Sequence, residues 1–521
     1  MQTAPTDPQD PQDPKDRATP TGRRATGEPS PATDRLAMAL FVIAPFVTAL
    51  GASPASVHAQ RAEVGGVEVQ PAAAVQEQAE QAAPVDYDDP NPSPTLVTYV
   101  IPALGVQLVN GAYWLGSRYI LDARWARIDF DSASNNLESG FEWDDNKFKT
   151  NQFGHPYQGS SYYSVARASG LGFWQSIPYT FFGALTWELL LEREAPAYND
   201  LITTTLAGSI LGELSYRLAN LMRDDSSDGV ERGARESLAL GLNPIHGLAR
   251  MGHGDTWTDG PPGLPPPFVM DFQLAVHNIT ADDDFHDLVH EPRLALYYGD
   301  VAVLEEDFDP FDYMTFEVGA IMVGDDTDTF RGARFAVAGL TNGTKFRLLH
   351  HSDNAVLGVM VEFDYFENEL LDLSTSGVGP ALLSSHSLGG GFKLHARAAV
   401  FAHFGGIEDP HSDLNLDAAG DSRFHYSFGA GGNAKLWLRI SHRRHGEVFL
   451  RVRRYNYNLV AGSDGWIFAG LYGLGGQVNV YDGLHVGIEA WASDLEATYE
   501  AYRNEVQGVV GTTLFVGYRA W

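Results

Sequence analysis

From Phe268 to Trp521 the side chains alternate between apolar and polar, and this period of two limits the fold more than any other feature of the chain. In FKLHARAAVFAHF, residues Phe392, Leu394, Ala396, Ala398, Val400, Ala402 and Phe404 share one face, while Lys393, His395, Arg397 and His403 share the other. Met270, Phe272, Leu274 and Val276 alternate in the same way with Asp271, Gln273 and His277. So do Leu357 to Tyr365 against Glu362 and Asp364, and Leu484 to Ala490 against His485 and Glu489. Strict alternation over many segments separated by turn residues is the pattern of strands with one apolar and one polar face.

A soluble β-sandwich and a membrane barrel both satisfy that pattern, and strand length separates them. A transmembrane strand needs about nine to eleven residues, an outward apolar band and aromatic girdles. The stretch from Arg423 to Ile440 is long enough, and Phe424, Tyr426, Tyr455, Tyr457 and Trp466 lie near strand ends. The connections are acidic, as in ADDDFHD, LEEDFDPFD, GDDTDT and EDPHSDLNLD. The terminal aromatic, Trp521, resembles the assembly signal of bacterial outer-membrane proteins, although it is in phase with Arg519 and not with Tyr518, Val516 and Leu514. The expectation is an antiparallel transmembrane β-barrel of about twelve strands over residues 266–521.

The other end of the chain sets the compartment. Arg23, Arg24 and Arg35 precede an apolar run from Leu36 to Leu50, and Val57-His58-Ala59 places small residues at a cleavage site. The run is short for a membrane span and contains Pro45, so residues 1–59 read as a disordered leader with an export signal. Residues 60–95 are an Ala/Gln/Pro linker. With 35 Lys+Arg against 67 Asp+Glu the net charge is −32, which argues against a nucleic-acid partner. Absence of cysteine removes disulfides and thiolate chemistry. No long apolar helix is apparent in the mature chain, as passage through the inner membrane requires. The expected location is the cell outer membrane, with outer-membrane lipid and the barrel assembly machinery as partners.

Between Phe141 and Arg250 the period shifts towards 3.6. Helices are expected at Gly159–Ser169, at Phe173–Glu192 with Pro178 near its start, from Leu201 to Met222 behind an Asn199-Asp200 N-cap, and at about Gly233–Leu240 before Asn243-Pro244. Thr204, Gly208 and Gly212 make a flat small face on the third, beside a polar stripe of Thr205, Ser209, Glu213 and Arg217. Residues 96–255 thus form a helical module of three or four helices, and the fold class is mainly β with a small helical bundle.

The stretches FEWDDNKFKTNQFGHPYQGSSYYSVARASGLGFWQS, FFGALTWELLLEREAPAYNDLITTTLAGSILGELSYRL and NPIHGLAR resemble the bacterial family catalogued as domain of unknown function 3943. The resemblance implies an envelope protein with this helical module and supplies no reaction. It brings forward Trp143, Asp144, Asn151, Pro156, Gly159 and Trp187 as motif positions. It also brings forward Tyr162, Arg167, Asn199, Glu213 and Arg217 as binding candidates.

Three residues are candidates for chemistry. His155 is an imidazole of near-neutral titration that suits a general base or a metal ligand, or else fixes the turn into its helix. Glu188, amid Phe181, Phe182, Leu185 and Leu189, suits an acid, or else pairs with Arg167 or Arg217. Asp200 is most simply a helix N-cap. Ser160, Ser161 and Ser164 keep a Ser/His hydrolase open, with helix packing as the plainer reading. No HExxH is present, and His155, His246 and His253 lack helix-face spacing, so neither metal nor other cofactor is expected. Calcium at GDDTDT is a loose reading only, for want of the EF-hand glycine and glutamate.

Two roles follow. In the first, the module plugs the barrel or docks on its periplasmic mouth, in a structural or transport-related protein. In the second, an envelope enzyme modifies or hydrolyses lipid, lipopolysaccharide or peptidoglycan, with a lipid or glycan ligand. Convergence of His155, Glu188 and Asp200 would favour the second, and scatter the first. The basic strand faces (Lys393, Arg397, Lys435, Arg439, Arg451 and Arg453) are expected to find partners in the module's carboxylates, at Glu188, Glu192 or Glu213, in preference to an anionic guest such as a lipid phosphate.

Overall fold

The computed structural model describes residues 94–520 apart from 145–146, 264, 281–287, 324–329, 349–353, 369–371, 408–425, 463 and 500–503. The expected leader, most of the linker, the loops ADDDFHD, GDDTDT and EDPHSDLNLD, and Trp521 lie outside the described residues.

Twelve strands form a closed antiparallel ring: β1 (Phe268–Thr280), β2 (Leu288–Tyr298), β3 (Met314–Val323), β4 (Phe330–Phe346), β5 (Asn354–Glu367) and β6 (Leu373–Gly389), then β7 (Phe392–Ile407), β8 (Ser427–His442), β9 (Gly446–Ala461), β10 (Gly465–Tyr481), β11 (Leu484–Tyr499) and β12 (Glu505–Ala520). Each strand pairs with the next, and β12 closes on β1 with Phe272 opposite Tyr518 and Leu274 opposite Val516. Closure leaves no unpaired edge, which a sheet in hydrocarbon requires.

The alternation decides which face is which. On β7, Val400, Ala402 and Phe404 are exposed, while Ala399, Phe401 and His403 are buried in the lumen. Leu514 on β12 is 61% exposed and its neighbour Phe515 5%. Outward apolar residues over an inward polar face are the arrangement of a barrel solvated by lipid.

Most of the inward charges pair within the barrel, not with the module. Arg453 on β9 reaches Glu317 on β3, straight across the barrel, at 2.9 Å. Lys435 on β8 holds Glu362 at 2.5 Å and also Asp364, both on β5. Arg519 bridges Asp271 at 2.5 Å and Glu447 at 2.7 Å. Arg439 lies 3.6 Å from the same Glu447, and Arg397 donates to Thr315. The expected partners Glu188, Glu192 and Glu213 are thus replaced by the barrel's own carboxylates, because the module does not enter the lumen.

Apolar layers close both ends of this network. The connection between β2 and β3 folds into one mouth, where Val301 and Leu304 join Leu340, Met360, Leu383 and Phe401. At the other mouth Phe366, Tyr455, Leu459, Ile467, Leu495 and Tyr499 pack together. Two gaps within the charged layer measure about 30 Å³ each, room for a water or two and no more. Among the described residues, the charged layer is closely packed around these two gaps.

Seven α-helices stand among the described residues, against three or four expected: α1 (Leu96–Tyr119), α2 (Phe130–Ser139), α3 (His155–Ala168), α4 (Phe173–Leu190), α5 (Tyr198–Met222), α6 (Gly229–Leu242) and α7 (Pro244–His253). The first, with Pro102 inside it, is long and apolar enough to cross a membrane by length and composition, which corrects the expectation of no such helix. Asn243 ends α6 and caps α7, accepting from the His246 backbone N–H at 3.0 Å, with Pro244 in the first helical position where its missing N–H costs nothing. Asp200 is not an N-cap: α5 starts behind Ala197, so Asp200 lies inside the first turn.

The module occupies neither of its expected seats. Leu294, Leu296, Phe316, Val318, Phe335 and Phe363 share the outward phase of Phe272 and Leu274 through direct pairing across β1 to β5. They form one buried cluster with Tyr163 of α3, Phe173 of α4, and Ile210, Leu211 and Leu214 of α5. The helices therefore lie on the outer wall of the barrel, over strands that would otherwise face lipid. The outward phase of β2 to β5 reads in sequence like any other lipid-facing band, which is why the seat is not legible there.

Candidate functional site

Three helix ends bring the chemical candidates together. A π-helical turn, Thr150–Gly154, delivers His155 as the first residue of α3. Glu188 is in the last turn of α4, and Asp200 is in the first turn of α5. One ring nitrogen of His155 and one oxygen from each carboxylate all lie within 4.8 Å of one another. His155 is 7% exposed and the two carboxylates 2% each. The three residues singled out for chemistry thus form one buried group.

Their surroundings are acidic and polar. The Ala197 backbone N–H donates to Glu188 at 2.8 Å, and Asn199 donates to Asp200 at 3.2 Å. Asp144 lies beside Asp200 and raises its pKa, and it receives the Asn151 amide at 2.9 Å. Glu192 accepts from the Trp187 indole at 2.5 Å. Among the described residues no Lys or Arg nitrogen lies within 4.0 Å of Glu188, Glu192 or Asp200, so only the Ala197 N–H, the Trp187 indole and His155 oppose burial and mutual repulsion. Burial, reinforced by Asp200 and Glu192, holds the Glu188 carboxyl well above the usual carboxylate range. Burial and Asp144 do the same to Asp200. Burial pulls His155 down, against the opposing pull of Glu192 and Asp144, so its imidazole is neutral at pH 7.

His155 makes no hydrogen bond to a described residue, and its Nε2 stands 3.6 Å from Asp200 Oδ2. It does not fix the turn into α3. Nor does it face a serine nucleophile: Ser160 donates to the Tyr157 carbonyl, Ser164 donates to the Ser160 carbonyl, and Ser161 bonds the Tyr113 hydroxyl. His246 stacks on Tyr216 away from the group.

The binding candidates divide in two. Asn199 belongs to this site, accepting from the Asp144 backbone N–H at 2.8 Å. Arg167, Glu213 and Arg217 make a separate structural knot: Glu213, fully buried, takes Arg167 at 2.9 Å and Arg217 at 2.8 Å, and accepts from the Tyr163 hydroxyl at 2.8 Å. This pairing overturns the expected ion pair of Glu188 with either arginine. Arg217 continues to Asp312 and the Pro310 carbonyl on the β2–β3 connection, tying module to barrel. Tyr162 is a packing residue that donates to Asn110 and lies against Gly183.

Sequence reading missed the residue that closes the site from the barrel side. The Tyr426 hydroxyl, just before β8, lies 3.1 Å from the Asn151 amide and 3.2 Å from those of Gln152 and Asn199. A tyrosine at a strand end reads as a girdle residue, and only the seat of the module gives it this role. A cavity of about 110 Å³ opens between module and wall, lined by Tyr157, Ser160, Leu211, Leu214, Phe316 and Phe335.

No curated protein matches the chain. Among solved structures it is similar to the outer membrane channel DcaP of Acinetobacter baumannii, at 10% identity and a TM-score of 0.22 over 49% of this chain and 96% of that one. An outer membrane channel from Pseudomonas putida F1 gives 9% and 0.26 over 50% and 97%. The P. putida toluene transporter TodX gives 9% and 0.21 over 49% and 90%. Closed, apolar outside and polar within, the twelve strands are an outer-membrane β-barrel on their own geometry. Residues 140–245, which carry His155, Glu188 and Asp200, match the family described as Domain of unknown function (DUF3943).

Proposed function

We propose that the protein is an envelope enzyme that modifies or hydrolyses an outer-membrane lipid or lipid-linked glycan at the His155–Glu188–Asp200 group. The observation that carries this reading is the convergence of three ionisable side chains, from three helices, in one buried place without a compensating basic side chain. Such an arrangement is costly unless used, and perturbed ionisable groups of this kind collect at functional sites.

Two further features support a lipid-class substrate. The module lies on the lipid-facing wall and exposes apolar surface of its own through Val100, Leu104, Leu108, Trp174, Phe181 and Phe182. In this reading the end that carries the two-residue turns such as Asp482-Gly483, with the β2–β3 connection, is periplasmic, and the end that carries the β7–β8 connection is the outer one. Tyr426 belongs to the outer end, so the group faces the level of the outer leaflet.

A transport-related role is the second reading, favoured by the β2–β3 connection that fills one mouth as a constriction would. Lipid profiling of a deletion strain complemented with wild type or His155→Ala separates the two. Loss of one lipid or glycan modification with His155→Ala, at wild-type levels of folded protein, is expected. An unchanged profile in the deletion strain itself would overturn the enzymatic reading.

A further inference from the structure

We propose that His155, Glu188 and Asp200 together bind one divalent metal cation. This deepens the proposed function and rests on its reading of the three side chains as a working site.

The geometry is close to a ligand set. Donors at about 2.0–2.2 Å from a common ion stand about 3–4 Å apart, so a pair at the 4.8 Å limit closes by about 1–2 Å. His155 Nε2 and Asp200 Oδ2 are already 3.6 Å apart, too far for a hydrogen bond and suited to two ligands of one ion. A neutral imidazole and two carboxylates supply two negative charges, matching a divalent cation and removing the repulsion between the acids.

Two independent observations point to a missing ligand and not to a merely acidic cluster. His155 is more than nine-tenths buried, faces Asp200, and has no hydrogen-bond partner among the described residues. The Asn151 Oδ1 is also buried without a partner, while the other end of that amide holds Asp144. Polar groups this deep are ordinarily satisfied.

The surrounding contacts are those of a supported site. Ala197 fixes Glu188, Asn199 fixes Asp200, and Asn151 fixes the neighbouring Asp144. Outer contacts of this kind orient metal ligands, and losing one typically costs about 10–100-fold in affinity. One nitrogen and two oxygen donors without sulfur suit Zn²⁺ or Mn²⁺ better than Cu⁺. Three protein ligands leave a position open for water or a substrate oxygen. The spacing of the ligands in sequence gives no metal motif, because they come from three helices and meet only in the fold.

The test uses the full-length protein extracted from membranes in detergent, stripped with chelator, and reloaded with Zn²⁺ alone or Mn²⁺ alone. Elemental analysis after desalting should find about one ion per chain, and binding of Mn²⁺ should quench its free-ion paramagnetic resonance signal. Asp200→Asn and His155→Gln should each weaken retention at least tenfold, and Glu231→Gln, on the exposed surface of α6, should not. Heat-shifted migration on gels confirms that each variant is folded; if one is not, the other still decides. Less than about one-tenth of an ion per folded wild-type chain, or equal retention by the folded variants, overturns the proposal. Failure here with a lipid change in the His155→Ala strain leaves the enzymatic reading standing without a metal. Ion retention with no lipid change in the deletion strain removes the enzymatic reading and leaves the metal site.

Discussion

Replacing Glu213 by alanine should release the helical module from the barrel wall. Its carboxylate is fully buried and is held by both Arg167 and Arg217. Removing it leaves two guanidinium groups crowded together in a place with little water. Breaking a buried pair in this way costs about 3–5 kcal/mol, because the remaining charge is uncompensated. The loss passes to the barrel through Arg217, whose guanidinium also grips Asp312 and Pro310. Limited trypsin digestion of outer membranes should then clip residues of the module while the barrel survives. Glu231→Ala, which removes an exposed pair with Arg235, should behave as wild type, since such helix pairs contribute about 0.3–0.5 kcal/mol. Equal protease resistance in the Glu213→Ala protein would show that the knot does not hold the module.

Gly208→Leu should have an effect of similar size by a different route. A β-carbon at Gly208 would stand 2.7 Å from Gly159 Cα and 3.1 Å from the Ser160 nitrogen. Both obstacles are backbone, so no side chain can swing aside. The matching atom at Gly159 would meet the Thr204 carbonyl oxygen at 2.0 Å. Overpacking costs typically about 1–3 kcal/mol where neighbours can shift, and here the two helices must separate. Separation moves His155 away from Asp200, since α3 and α5 carry them. The variant should lose both module protection and, on the metal proposal, ion retention. Wild-type protection would mean that the two helices are not in backbone contact.

Much of the fold is open to sequence reading because the controlling signals are local. Alternation along FKLHARAAVFAHF needs no knowledge of neighbours to show two faces, and the length of each run implies a membrane strand. The small face of Thr204, Gly208 and Gly212 likewise announces close packing before its partner is known. What fails are the features that depend on which surface meets which. Phe316, Phe335 and Phe363 look like lipid-facing residues whether lipid or a helix covers them, so the outer-wall seat cannot be read. The lumen charges are recognisable, but pairing across a barrel leaves no trace in residue spacing, so the module's carboxylates look like equally good partners.

The candidate site divides along the same line. His155, Glu188 and Asp200 stand out singly as ionisable residues in apolar or helical surroundings. Their meeting depends on where α3, α4 and α5 end, and in sequence Glu188 pairs equally well with Arg167. Asn199-Asp200 misleads because Asx residues ahead of a helix usually cap it, whereas here α5 begins earlier and the Asn199 oxygen is used on the Asp144 backbone. Tyr426 is distant in sequence and reads there only as a girdle aromatic.

The module sits on the outer wall and there assembles its site beside Tyr426. The chain has no cysteine, so an introduced pair reports this without background. A β-carbon at Gly406 of β7 would lie 2.9 Å from Gln152 Cγ, and Gly406 has the outward phase of Val400 and Phe404. The double variant Gln152→Cys, Gly406→Cys, oxidised in intact outer membranes, should form an internal disulfide that shifts gel migration and disappears on reduction. A pair that stays reduced in protein shown to be folded would place the module elsewhere and contradict the account.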